Sequence, residues 1–391
     1  MGAKRALLQN GLGKLLMSEA PRYERFVDLF AGSASVSWFV AANTPVPVLA
    51  NDLQEYSRVL AEAVILRRRP VTTTSKVVAD WIARTEATRS RTRAWKDAAL
   101  SVEGLTAADV EHCRRWSAAA PPGSMLQAYG GHYYSPRQAL TFDALIAELP
   151  SGRALRQLCL GSVIWAGTRC AAAPGHTAQP FQPTISGLPY IEAAWRRDPL
   201  DVVKGAVAEI GAIATQTVGR ATTADANEVV TTLRPNDLAF IDPPYSAVQY
   251  SRFYHVLEAL SVGSPGVVSG TGRYPDLDHR PRSEYSLKTG AVQAMTELLD
   301  RLADVGCGAI ITFPRHDGSN GLSGDQIVQI AKRRFMTDVH SVASNFSTLG
   351  GNGKGRAARW RSAEIFISLT PRRGSGLTRT RLAHRGESRR G

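Results

Sequence analysis

The chain has 391 residues, with 47 Lys and Arg against 34 Asp and Glu, a formal net charge of +13. That length exceeds the roughly 100–200 residues of an ordinary single core, so two domains, or one large domain with an insertion, are expected. A hydrophobic share of 43% suits a globular protein, no window approaches the ~18 apolar residues of a membrane span, and the start lacks a signal peptide's apolar block.

In chain order, Phe26-Val27-Asp28-Leu29-Phe30 reads as a buried strand, followed by a small-residue turn and a helix over about 36–42. Val46 to Ala50 reads as a second strand ending at Asn51-Asp52. Residues 67–150 break this rhythm: they lean to helix, are basic, and are interrupted at Pro121-Pro122-Gly123 and at 129–134. Strands return at Leu238–Ile241, Ala309–Phe313 and Ala363–Leu369, separated by helical stretches over 290–305 and 324–335. Continuous apolar runs alternating with helices indicate an α/β fold whose mostly parallel sheet is covered on both faces. The expected division is a first core part over 1–66, an inserted subdomain over 67–150, a second core part over 151–370 and a basic, disordered tail over 371–391. Cys113, Cys159, Cys170 and Cys307 form no C-x-x-C pair, so neither a disulfide framework nor a zinc site is expected, and a reducing cytoplasm fits.

The excess charge suggests a polyanionic partner. It concentrates in two places. Residues 67–97 hold nine basic residues against three acids, with Trp81 and Trp95 interleaved, and 371–391 hold seven arginines against Glu387. The first block is expected to touch that partner in register with the active cleft. The tail is expected to add unspecific, salt-sensitive affinity.

Two constellations carry chemistry. The first is the strand-to-helix turn Asp28-Leu29-Phe30-Ala31-Gly32-Ser33-Ala34-Ser35, where small residues allow close backbone approach to a ligand and the next helix presents free N–H groups. Asp52 follows Asp28 by 24 residues, at the end of the next strand, where an acid can accept from ribose hydroxyls. The full G-x-G-x-x-G is missing, so a single nucleoside-like cofactor is favoured over a dinucleotide. The second constellation is Asp242-Pro243-Pro244-Tyr245, directly after the strand 238–241. At the carboxyl end of a parallel strand it points into the ligand crevice. The Asp242 carboxylate and the Pro243 carbonyl offer two acceptors to one amino group, and Tyr245 offers a face for a base to stack on.

With Gly13-Lys14-Leu15-Leu16, the Phe30–Ala34 turn, Asn51-Asp52-Leu53 and Asp225-Ala226-Asn227-Glu228, the chain resembles the S-adenosylmethionine-dependent adenine-specific DNA methyltransferases of the Dam-like group. It departs from their F-x-G-x-G at Ala34, where a second glycine is usual. The resemblance implies a Rossmann-like methyltransferase fold with an inserted, mainly helical target-recognition subdomain. It implies that Phe30, Gly32 and Ala34, with Asp28, Ala31 and Ser33 of the same turn, line S-adenosyl-L-methionine. Asp52 holds its ribose, Asp225 its adenine amino group, and Lys14 lies near its carboxylate. Asp242, Pro243, Pro244 and Tyr245 hold the target base. The partner implied is double-stranded DNA, with N6 of a flipped adenine as acceptor, no membrane, and a restriction or defence system as a candidate companion. The rival readings are amine methylation of cytosine N4, which more often shows Ser at the place of Asp242, and a silent accessory subunit that keeps only the fold.

Softer candidates remain open. The 175–181 loop touches DNA, closes the pocket or is structural; Gln249, Tyr250, Arg252, Tyr254 and His255 should flank the target, with His255 reading more readily as a structural histidine than as a pocket hydrogen bonder. Residues 345–347 and the 350–356 loop form either a pocket wall or a phosphate turn. His132, without partners at ligand spacing, reads as structural, and no metal is expected.

Overall fold

The computed structural model describes residues 3–98, 102–315, 318–347 and 359–372. Seven strands form one sheet: β1 (Arg25–Asp28), β2 (Val48–Asp52), β3 (Arg220–Thr223), β4 (Asp237–Ile241), β7 (Gly308–Pro314), β8 (Phe335–Ser347) and β9 (Arg359–Pro371). Their order is β3-β2-β1-β4-β7-β9-β8. The first five are parallel, whereas β9 runs antiparallel to both β7 and β8. A short hairpin, β5 (Val268–Ser269) with β6 (Tyr274–Pro275), stands apart from the sheet.

Side chains of a strand alternate between faces. Phe26, Val48, Leu238, Phe240, Ile310 and Phe366 enter one apolar layer, and Val27, Leu49, Ala239, Ile241, Ile311 and Ile367 enter the other. The first layer is covered by α1 (Ala3–Leu7), α2 (Gly13–Glu19), α3 (Ser35–Asn43) and α4 (Glu55–Ile65). Further helices follow before β3: α5 (Lys76–Arg91), α6 (Arg93–Asp97), α7 (Ala107–Ala118), α8 (Met125–Tyr129), α9 (Pro136–Ala147), α10 (Arg153–Cys170), α11 (Leu188–Trp195) and α12 (Pro199–Ala212). The second layer is covered by α13 (Ala226–Val229), α15 (Ala291–Val305) and α16 (Gly324–Ala331), while α14 (Tyr250–Val262) returns to the first.

The helical run foreseen over 67–150 continues through α10–α12, and Val78, Trp81, Tyr129 and Phe142 share one buried cluster with α4, α10 and α12. Two strands were not foreseen. Both are edge strands, so one flank is unpaired: β3 is four polar-leaning residues, and β8 begins where the helix expected to reach 335 has already stopped at Ala331. No helix among the described residues is long and apolar enough to cross a membrane. All four cysteines are buried thiols whose burial pushes their pKa up, to about 11 for Cys113 and about 12 for the others. The 350–356 loop and the tail beyond Arg372 lie outside the described residues.

Candidate active site

The carboxyl ends of β1, β2 and β4 meet at one cleft. After β1 the chain turns back through Gly32 and Ala34, both at positive φ (51° and 59°), before α3 begins. This bend aims the Gly32 N–H at Asp52 Oδ2 (2.8 Å), while Asp52 Oδ1 accepts from Gln54 N–H (3.1 Å). Burial raises the Asp52 pKa and these backbone donors oppose the rise. Asn51, fully buried, ties the turn to the strand beyond by donating to the carbonyls of Leu29 (3.2 Å) and Ala224 (3.0 Å). Asp225 caps α13 by accepting from Asn227 N–H (2.8 Å).

At the end of β4, sheet register builds the surroundings of Asp242. Ile241 pairs with Ile311, so Asp242 falls beside Thr312, which donates to its Oδ1 (2.9 Å). Pro314 of β7 pairs with Glu364 of β9, which brings that carboxylate to the same face. The Lys4 ammonium sits among them, 2.8 Å from Asp242 Oδ1, against Glu364, and donating to Thr312 Oγ1 (3.1 Å). Its three N–H groups thus have three partners. Burial alone would lower the Lys4 pKa, and the two carboxylates outweigh it and hold the pKa above its ordinary value. Burial raises the Glu364 pKa, opposed by Lys4. Asp242 Oδ2 receives no hydrogen bond from the described residues.

The two prolines differ. Buried Asn320 donates to the Pro244 carbonyl (2.9 Å) and the Tyr285 carbonyl (2.8 Å), whereas the Pro243 carbonyl accepts from no described residue. Tyr245 packs against the second apolar layer, and its phenol meets that of Tyr250. Phe30 meets the buried Tyr285 ring edge to face, with centroids 5.0 Å apart.

Phe30, Gly32, Asp52, Asp225, Asp242, Pro243, Pro244 and Tyr245 therefore line one cleft of about 830 Å³ that opens to solvent, together with Gln54, Tyr56, Gln249, Tyr250 and Tyr285. The remaining candidates do not line it. Lys14 is exposed, because α2 turns Gly13 and Leu16 inward and leaves Lys14 on the outer face. Asp28 is buried beneath the turn, bonded by Ser37 (2.7 Å), and burial lifts its pKa to about 7. Ala31 and Ala34 are packed inside, and Ser33 pairs with Ser35 at 3.0 Å. Lys4, Thr312, Glu364 and Asn320 were not foreseen. Their local signal is faint: Thr312 is the single polar residue of β7, and Glu364 is one of several polar residues along β9.

The other expectations resolve as follows. His255 is buried among Tyr129, Tyr133 and Tyr274, and burial lowers its pKa to about 4. The pKa of His132 is lowered to about 3 by burial and by Arg114 and Arg273. The 175–181 loop straps α14, since the Thr177 N–H and hydroxyl both donate to the Phe253 carbonyl (2.7 Å each). In the 67–97 block, Trp81 is buried, Arg84 pairs with Glu148, and Arg89 forks onto Asp198 (2.8 and 2.9 Å) while covering Trp95. Arg67 is buried and donates to five main-chain carbonyls around the ends of α4 and α12. Residues 67–69 follow the end of α4 that is remote from Asp52, and a helix of 11 residues is about 16 Å long.

A mostly parallel seven-stranded sheet with its pocket at the carboxyl strand ends is consistent with a Rossmann-like methyltransferase. Residues 1–93 match the family described as D12 class N6 adenine-specific DNA methyltransferase. A segment of 136 residues is 26% identical to a protein named Modification methylase LlaI from Lactococcus lactis subsp. lactis, covering 34% of this chain and 21% of that protein. The chain thus spans about a fifth of that curated relative, and both matches are consistent with an adenine DNA methyltransferase.

Proposed function

We propose that the chain is a site-specific DNA methyltransferase that transfers a methyl group from S-adenosyl-L-methionine to N6 of an adenine flipped out of double-stranded DNA. One observation carries this reading: the cleft brings the Asp242 carboxylate and the Pro243 carbonyl together with an Asp52 and Asp225 pair suited to a nucleoside. The cleft's mix of apolar walls and a few polar groups suits a small-molecule site, and its donor set fits the cofactor. Asp52 offers acceptors for ribose hydroxyls, Asp225 for an amino group, and Phe30 an apolar face. S-adenosyl-L-methionine supplies an activated methyl group on a sulfonium.

The adenine amine is a poor nucleophile because its lone pair is delocalised into the ring. Asp242 Oδ2 and the Pro243 carbonyl each take one of its N–H bonds and localise that lone pair on nitrogen. Lys4 and Thr312 fix Oδ1 and hence the carboxylate plane, while Asn320 fixes the Pro-Pro turn. Tyr245 stacks on the base and offsets part of the few kcal/mol that flipping costs. Holding both reactants in line supplies roughly 7–11 kcal/mol of the barrier reduction, so a strong base is not required before transfer. After transfer the amine is acidic, and its proton leaves through Asp242.

The test is methyl transfer from labelled cofactor to plasmid DNA, followed by digestion to nucleosides. Label in N6-methyladenosine is expected. Label in cytosine, or in no base, overturns the reading.

A further inference from the structure

A second concavity of about 1370 Å³ opens beside the cleft and shares Gln249 and Ser251 with it. Arg252 of α14 and Arg280 and Arg282 of the segment after the β5–β6 hairpin line it, with Asp278 as the one lining acid among the described residues and with the exposed side chains of Val248 and Leu277. We propose that this groove seats the sugar-phosphate backbone of the DNA strand flanking the target base, with Arg252, Arg280 and Arg282 as its phosphate contacts. The assignment rests on DNA being the substrate.

Three features carry it. Among the described residues none of these arginines is paired with a carboxylate, whereas Arg25, Arg58, Arg84 and Arg89 all are. Arg252 and Arg280 are oriented through Nε alone: Arg252 Nε donates to the Tyr274 hydroxyl (3.0 Å) and Arg280 Nε to the Pro275 carbonyl (2.8 Å). Both guanidinium groups also lie over the Tyr274 ring, at 5.2 and 5.1 Å. Their Nη groups, the fork that grips phosphate oxygens, have no partner among the described residues.

The groove is also built rather than incidental. Tyr274 donates to the Ala178 carbonyl, Tyr133 to the Gly272 carbonyl (2.9 Å), and Arg273 to the carbonyls of Ala128 (2.7 Å) and Gln127 (3.1 Å). Gln249 exchanges two hydrogen bonds with Ser283 (3.0 and 2.8 Å), joining the groove to the wall of the cleft. The helical insertion therefore acts as the foundation of this face, and the segment after Tyr245 presents the charge. A fixed array of cations beside the base pocket suits a polyanion that must enter in one register, because phosphate contacts position the duplex while the pocket selects the base.

The test is equilibrium binding of a duplex oligonucleotide across a salt series. Each of Arg252→Ala, Arg280→Ala and Arg282→Ala should lower the slope of log K against log salt by about 1, and the triple variant by about 3. Cofactor binding and the melting temperature should stay at wild-type values. Arg282→Lys, which keeps the charge, should restore the slope. Arg68→Ala and Arg69→Ala, beyond the far end of α4, should leave it unchanged. A triple variant with wild-type slope and affinity overturns the groove assignment. A wild-type chain that labels no base in DNA overturns the methylation reading instead, while the binding series still decides the groove.

Discussion

The two ends of the central sheet are built on opposite electrostatic rules. At the amino ends, charges are closed off in forks. Arg25 grips Asp237 through both nitrogens (3.0 and 2.5 Å), Asp237 also accepts from Arg234 N–H (2.8 Å), and Arg67 satisfies five carbonyls. At the carboxyl ends, Asp242 and Glu364 share the ammonium of part-buried Lys4, buried Asp28 feels the charges of Asp242 and Asp52, and Ala34 is held at a φ of 59°, a backbone state that costs a non-glycine residue about 1–2 kcal/mol. Crowded acids and strained backbone are features that stability alone does not favour. The comparison teaches that one end of the sheet supplies the margin of stability on which the other end is held ready for chemistry.

The strongest way to break that contrast is to exchange the effects. Asp242→Ala should cut methyl transfer by roughly 10²–10³-fold. Its unfolding free energy should stay near wild type, because Lys4 keeps Glu364 as a partner. Wild-type turnover in this variant would remove Asp242 from the site. Arg67→Ala should do the reverse. It strands buried carbonyls and should lower stability by about 3 kcal/mol, read by denaturant unfolding, with kcat unchanged in the folded fraction. Arg67 is buried enough that its own pKa falls to about 10. If this variant instead kept its stability and lost DNA affinity, the amino end would be part of the DNA face.

What was legible in the sequence follows from how the parts of the site come together. Asp242 to Tyr245 are contiguous, and the turn from Phe30 to Gly32 with Asp52 spans one β-α-β unit, so local pattern was enough to place them at a pocket. Lys4, Thr312 and Glu364 reach Asp242 only through strand order and register. Thr312 is 70 residues from Asp242, and Lys4 and Glu364 are 360 residues apart. Charge density along the sequence does not by itself locate a groove, for a related reason. In the dense block over 67–97 only Arg67 and Arg89 are turned inward and the other basic side chains are exposed, whereas the sparse arginines at 252, 280 and 282 meet in one groove beside the cleft. The parallel strands read clearly because both their faces are buried. Edge strand β3 did not, because exposure of one flank leaves no continuous apolar run.

Asp28 tests whether the carboxyl ends carry a stability cost. Its carboxyl titrates at about 7 in the folded chain against 3.8 ordinarily, chiefly through burial. The native state therefore holds a proton that the unfolded chain releases from about pH 4 upward, and stability falls as pH rises towards 7. Asp28→Asn removes this dependence and can still accept from Ser37. It should be more stable than wild type by about 2 kcal/mol at pH 8 and by much less at pH 5. An equal effect at both pH values would show that Asp28 acts through packing instead.

Glu364 gives the finest test, because it touches no substrate in the proposed mechanism. Lys4, Asp242 and Glu364 together carry a net charge of −1 when both acids are ionised. Methyl transfer moves positive charge from sulfur onto the adenine nitrogen, so an anionic surround favours the transition state over the separated reactants. Glu364→Gln keeps the shape and a contact to Lys4 but brings the cluster to neutrality, and kcat should fall about tenfold with KM for DNA unchanged. Burial raises the Glu364 pKa, so its charge is present above that pKa and lost as pH falls through it. Wild-type kcat should therefore decline on the acid side, and Glu364→Gln should flatten that limb. A purely structural Glu364 predicts a lower melting temperature with the acid limb intact, and that outcome would confine the electrostatic contrast between the two ends to Asp242 itself.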